Sequence, residues 1–153
     1  MNIFALSYNV QECAIWHMDK HIVKMPLETA QMLCTVLNKL GISTPYKPVH
    51  AKHPCTLWAG INQSNFIWLS NLGLELCKEY SFRYQKDHAC HKVIMECISS
   101  IDKLPEGNLT PFAQAMPDEY KNSDSIVAYK NYYKFGKSHI ASWKLRSKPE
   151  WFA

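Results

Sequence analysis

The chain has 153 residues, of which 47% are hydrophobic and 20% charged, with a formal net charge of +4. That length is one ordinary domain, and the balance excludes a disordered chain while tolerating, without demanding, a polyanionic partner. No run approaches the roughly 18–20 apolar residues that cross a bilayer, and the start, MNIFALSYNVQE, lacks the basic segment and apolar stretch of a secretory signal.

The expected location is therefore the cytoplasm. Cysteine use agrees. Cys13, Cys34, Cys55, Cys77, Cys90 and Cys97 contain no C-x-x-C spacing, and Cys13, Cys34 and Cys77 fall in apolar helical runs. They read as reduced core thiols.

Helical periodicity dominates the chain. Asn9 and Glu12 have the N-x-x-E spacing of a capping box and open the first helix. A second helix is expected over about 19–40, stopping at Gly41, with a bend or restart near Ile22 because Pro26 removes that carbonyl's partner. The loop ISTPYKPVHAKHP follows over 42–54. Residues 55–86 read as helix interrupted near Gly60–Asn62, with Ser64 as a cap for the longer part, and a shorter helix is expected near 89–103. The stretch 104–124 is irregular and proline-rich, which in a compact domain often marks function. In its MPDEY motif, Asp118 and Glu119 are expected to cap a helix near Tyr120. A last helix is expected over about 124–145. The fold class is all-α: one compact domain, 1–153, of about five helices with a long proline-rich loop before the last.

On a helix, His17, His21, Lys24, Glu28, Gln31, Thr35 and Asn38 recur every three or four residues and form one polar face. Its other directions are apolar, and it carries imidazoles and amides where a routine solvent face carries Lys and Glu. A cleft is the expectation. His17, Lys20, His21, Lys24 and Glu28 are its candidate catalytic residues, supplying a base, a cation and an orienting carboxylate.

The histidine pairs His17/His21, His50/His53 and His88/His91 complete no metal signature, so no metal or other cofactor is expected. The loop YKPVHAKH instead offers Tyr46, Lys47, His50 and His53 to phosphate oxygens. Trp58, Arg83 and Tyr84 are candidates for stacking on a base. In the last helix Lys130, Lys134, Lys137 and Lys144 follow a four, three, seven spacing, with Tyr133 beside them. Tyr132, Phe135, His139 and Trp143 are expected to face the core opposite. Cations with interleaved aromatics suit a nucleic-acid backbone.

MNIF, DKHIVKM, ETAQML, YKPVHAKHPCTLW, ELCKEYSFRY, FAQAMPDEY and PEWF together resemble a family of short proteins from tailed phages and large DNA viruses. That resemblance implies a viral origin, with the host cytosol as location. The order of elements, with YKNYYKFGK as an aromatic-basic string, is also similar to phage pyrimidine-dimer DNA glycosylases. In that family the N-terminal amine attacks a sugar carbon to form a Schiff base, assisted by a glutamate.

Carried onto this chain, the resemblance implies Glu28 as the assisting acid. The imine would form on Met1, which Asn2 protects from removal, or on Lys20 or Lys24. The expected function is a viral enzyme acting on DNA or a nucleotide at a base or glycosidic bond. The alternative is a non-catalytic protein that captures a host signalling nucleotide. Either partner is a phosphorylated nucleotide or DNA, and neither is a membrane.

Overall fold

The computed structural model describes residues 1–152. Among these the regular structure is entirely helical, as the periodicity predicts. Six α-helices run in chain order: α1 (Val10–Trp16), α2 (Asp19–Lys39), α3 (Pro54–Ala59), α4 (Gln63–Tyr84), α5 (His91–Ile98) and α6 (Ser125–Asn131). None of them is long and apolar enough to cross a membrane.

Helix α4 is the centre, with α2, α1 and α5 packed around it and α3 wedged against α2. Leu33 of α2 and Phe66, Leu69 and Leu72 of α4 are almost fully buried at this junction, and each such side chain contributes roughly 1.5–3 kcal/mol by leaving water. Close approach of the helices depends on Gly73. A Cβ there would meet Thr29 Cγ2 at 2.7 Å and Ile94 Cδ1 at 2.9 Å.

Local signals set the helix ends. The Asn9 side chain accepts from the Glu12 N–H at 2.9 Å, but Glu12 returns its carboxylate to the Ser7 hydroxyl, so the capping box is completed through Ser7. Helix α2 does not restart at Pro26; it is continuous from Asp19 to Lys39. Its end is as expected: Gly41 takes φ +82°, and the Ile42 N–H returns to the Leu37 carbonyl at 3.0 Å, a left-handed turn that glycine enters without strain. Asn62, not Ser64, caps α4 by accepting from the Asn65 N–H at 2.9 Å. Neither Asp118 nor Glu119 caps the turn at Tyr120, and Asp118 pairs instead with Lys121 at 2.8 Å.

The last expected helix is the largest departure. Asp124 caps it as a short polar residue should, but α6 ends at Asn131 and passes into a π turn over Tyr132–Gly136 and a 3-10 turn over Ser138–Ile140. Tyr129 and Tyr133, both fully buried, fasten this segment to the core. The 104–124 stretch is held down by side-chain amides. Asn65 donates to the Thr110 hydroxyl at 2.8 Å and accepts from its N–H at 3.0 Å, and Asn62 donates to the Asn108 carbonyl at 2.8 Å. All six cysteines are free and buried.

Candidate functional site

Residues 1–7 have no regular structure, are buried from Asn2 to Ser7, and lie across the start of α2. The chain's first atom carries the site. The Met1 amine lies 3.2 Å from Glu28 Oε1, and Lys24 Nζ approaches the other carboxylate oxygen at 3.7 Å. Glu28 is 6% exposed. The Met1 side chain is buried while the residue as a whole is half-buried, so its accessible surface belongs to the main chain that bears the amine. The Met1 nitrogen thus lies against a buried carboxylate.

His53 flanks this pair. Its Nδ1 accepts from the Cys55 N–H at 3.1 Å as it caps α3, which leaves Nε2 to carry the proton of the neutral ring. Burial first, then the Met1 ammonium and His50, push the imidazole below its ordinary range, against the opposing pull of Glu28. A neutral ring near an ammonium is a hydrogen-bond donor with no charge of its own.

His21 closes the inner side. It stacks on Phe4 with centroids 4.1 Å apart, and its Nδ1 lies 2.7 Å from the Tyr133 hydroxyl. Burial, then His17, Lys137 and Lys24, drive its pKa down to about 2. Lys137 and Lys24 both add positive potential at the His21 ring.

Glu28 and Lys24 of the expected catalytic set meet at this point, and His21 stands behind them. His17 does not join them. It lies between α1 and α2 rather than on the α2 stripe, wholly buried, with Nδ1 donating to the Cys13 carbonyl at 2.7 Å and Nε2 without a partner. Burial lowers its pKa to about 4. A ring sealed in this way does not touch a substrate. Lys20 is exposed on the first turn of α2 and touches none of this group.

Most of the stripe is covered by the protein's own chain. The Thr35 hydroxyl accepts from the Val49 N–H at 3.0 Å, and Asn38 donates to the Tyr46 carbonyl at 3.3 Å. The stripe is thus a seat for the N-terminal segment and the 42–54 loop, whose backbone groups need partners.

Of the expected phosphate ligands, Lys47 and His50 are exposed on that loop and His53 is at the site. The Tyr46 hydroxyl turns instead to Cys90 Sγ at 3.4 Å.

The expected base-stacking residues need correction. Arg83 is 0% exposed. Its Nε donates to Glu79 at 2.9 Å, its Nη1 to the His17 carbonyl at 2.8 Å and Asp19 at 3.0 Å, and its Nη2 to the Ile15 carbonyl at 2.8 Å. It is an internal tie between α4 and the α1–α2 junction. Trp58 is packed among Trp68 and Phe112 with its indole N–H on the Thr110 carbonyl. Tyr84 is half-buried, with Lys144 Nζ over its ring at 5.1 Å.

The expected basic stripe of the last helix is dispersed, because the helix is. Lys130 Nζ lies over both Trp16 and Trp151, at 4.9 and 5.5 Å. Tyr133 is buried against His21, whereas Phe135, assigned to the core by periodicity, is 67% exposed with Lys134 over its ring. His139 is exposed too. Tyr132, Lys134, Phe135 and Lys137 share one short segment, with Tyr120 of the preceding turn stacked on Tyr132. The residues that sequence reasoning passed over are Asn2, Cys55 and Tyr129, which fasten the chain's first residues. A polar Asn inside the apolar run MNIFAL was the one signal of them.

Comparison of the chain with protein-family models, with curated proteins and with solved structures finds no match in any of the three.

Proposed function

We propose that this protein is a DNA-directed enzyme that acts at the base–sugar junction through a Schiff base on the Met1 amine. The observation that supports the reading is the 3.2 Å contact between that amine and Glu28, with Lys24 Nζ on the other carboxylate oxygen at 3.7 Å. Lys24, with its side chain 70% exposed, lacks the desolvated setting that makes a lysine comparably reactive.

In the proposed step the neutral amine bonds to C1′ of the deoxyribose as the bond from C1′ to the base breaks and the base leaves with the electron pair. Glu28 takes the proton released by the amine and returns it to the ring oxygen as the sugar opens to the imine. Lys24, Lys137 and neutral His53 bind the flanking phosphates, and Phe135 offers exposed aromatic surface to an unstacked base.

The test is borohydride trapping with ultraviolet-irradiated and abasic duplex DNA, with strand nicking read on the same gel. The expected result is a covalent adduct on Met1 and a nicked strand, both lost in Glu28→Gln. No adduct and no nicking with either DNA would refute the reading. Tight binding of a cyclic nucleotide without turnover would then favour the rival, a protein that captures a signalling nucleotide.

A further inference from the structure

A nucleophile on a chain terminus has a difficulty that a side chain on a helix does not. The first residue of a chain is ordinarily frayed, and a frayed amine would spend little time over Glu28. Here the neighbouring residue removes that freedom.

Asn2 is 9% exposed and uses both ends of its carboxamide. Its Nδ2 donates to the Ala115 carbonyl at 2.8 Å, and its Oδ1 accepts from the Ile3 N–H at 2.7 Å. The same oxygen faces the Tyr129 hydroxyl at 3.1 Å and Cys55 Sγ at 3.5 Å. One carboxamide therefore joins the N-terminal segment to α3, to α6 and to the far end of the proline-rich loop.

Tyr129 is itself fixed. It is 0% exposed, its hydroxyl sits against the Ala113 carbonyl, and it accepts from the Ala115 N–H at 3.2 Å. The Met1 amine is thus one residue, about 3.8 Å of Cα spacing, beyond a point clamped from three elements. The buried Met1 side chain pins it from the other side.

We propose that Asn2, held by Tyr129, is a positioning residue that fixes the Met1 amine over Glu28. The proposal rests on the imine reading of the site. Asn2 touches no reacting atom. It holds the nitrogen in place so that attack on C1′ costs no further ordering, and a misplacement of about 1 Å at such a centre costs roughly 100-fold in rate. The long loop gains a purpose as well. Its 113–115 segment forms one wall of the clamp, and its 108–110 segment is fastened to Asn62 and Asn65.

The experiment compares wild type with Asn2→Leu, which keeps the side-chain volume and removes every carboxamide bond, and with Tyr129→Phe, which removes only the hydroxyl. Two rates are measured. One is single-turnover imine formation with abasic duplex DNA. The other is reductive methylation of Met1 by formaldehyde and cyanoborohydride, read by mass spectrometry on the protein alone. Thermal melting and abasic-DNA affinity are followed in parallel.

The expected result for Asn2→Leu is imine formation slowed about 100-fold with DNA affinity unchanged, and Met1 methylation faster than wild type because the released amine is more accessible. Tyr129→Phe should move both rates the same way by about 10-fold, and it decides the matter if Asn2→Leu does not fold. Variants that trap DNA at the wild-type rate would overturn the proposal, as would a loss of trapping that merely follows a loss of DNA affinity. Wild-type protein that forms no adduct would overturn the imine reading instead. The clamp itself is still read by methylation, and an unchanged methylation rate in both variants would overturn it.

Discussion

Replacing Arg83 with Met separates a structural cation from a base-contacting one. In the structure Arg83 donates four hydrogen bonds from a fully buried position, two to carboxylates and two to the Ile15 and His17 carbonyls. Removing one partner of a buried ion pair costs about 3–5 kcal/mol when the other charge is left alone. Neither anion is left alone here. Glu79 keeps both contacts to Arg146, at 2.8 and 3.0 Å, and Asp19 keeps the Lys144 N–H and the Ser142 hydroxyl. The ionic part therefore falls near the lower end, about 3 kcal/mol.

The two carbonyls, deprived of donors in a buried place, add about 1 kcal/mol each. The total is about 5 kcal/mol, which for a domain of this size is a fall in melting temperature of about 10–20 °C. Urea unfolding followed by circular dichroism measures it directly. Asp19 and Glu79 also give the comparison its control: Arg146→Met, at the half-exposed end of the same cluster, should cost about 1 kcal/mol. Arg83→Met with wild-type stability and weakened DNA binding would refute the argument and restore the base contact that the sequence suggested.

Stability should fall as pH drops from 6.5 toward 4. His17 and His21 are buried neutral with pKa values near 4 and near 2, below the unfolded value, so the unfolded chain binds two more protons across that window. The slope is on the order of 3 kcal/mol per pH unit, and melts that are flat between pH 7 and pH 5 would contradict it. Below about pH 4 Glu79 adds to the loss: burial raises its pKa, but hydrogen bonds from Arg146 and Arg83 outweigh that and the net shift is downward. Tyr133→Phe should cost about 1–3 kcal/mol, because it strips His21 Nδ1 and the Met18 N–H of a buried partner; a denaturation midpoint equal to wild type would show that the hydroxyl is idle. If Lys137 contacts a phosphate, Lys137→Gln should lower the slope of log affinity against log salt by about 0.9. Lys130→Gln should leave that slope unchanged and lower the melting temperature, since its ammonium lies between Trp16 and Trp151.

Helical class and most helix boundaries were legible because they depend on local chemistry: Asn9, Asp124 and Gly41 act within four residues of themselves. The breakdown of the last helix was not legible. A period-3.6 pattern over 124–145 describes which residues share a face, but Tyr129 and Tyr133 are drawn inward by partners at Asn2 and His21, more than a hundred positions away. Tertiary contacts of that kind override local periodicity. Arg83 illustrates the same limit. An arginine flanked by aromatics reads alike whether its donors face a base or three of the protein's own segments.

The polar stripe of α2 is the instructive case. Its register was readable, since His21, Lys24, Glu28, Gln31, Thr35 and Asn38 need only the helical repeat. What covers it was not, because a polar face looks the same under water, under a ligand or under another stretch of chain. The composition held a clue to the last of these. Thr35 and Asn38 are short side chains that satisfy backbone groups, and the segments that need such partners are the ones without regular structure, residues 1–7 and 42–53. Those segments use up the stripe from both ends. At Thr35 and Asn38 the loop is seated, and at His21 the ring is closed off by Phe4 and Tyr133. Between them one helical turn, Lys24 to Glu28, brings the Met1 amine and the exposed Lys24 ammonium onto the two oxygens of a buried carboxylate. On the proposed imine reading, chemistry on this helix falls to that turn, while Thr35 and Asn38 seat the 42–53 loop and His21 packs against Phe4 of the N-terminal segment.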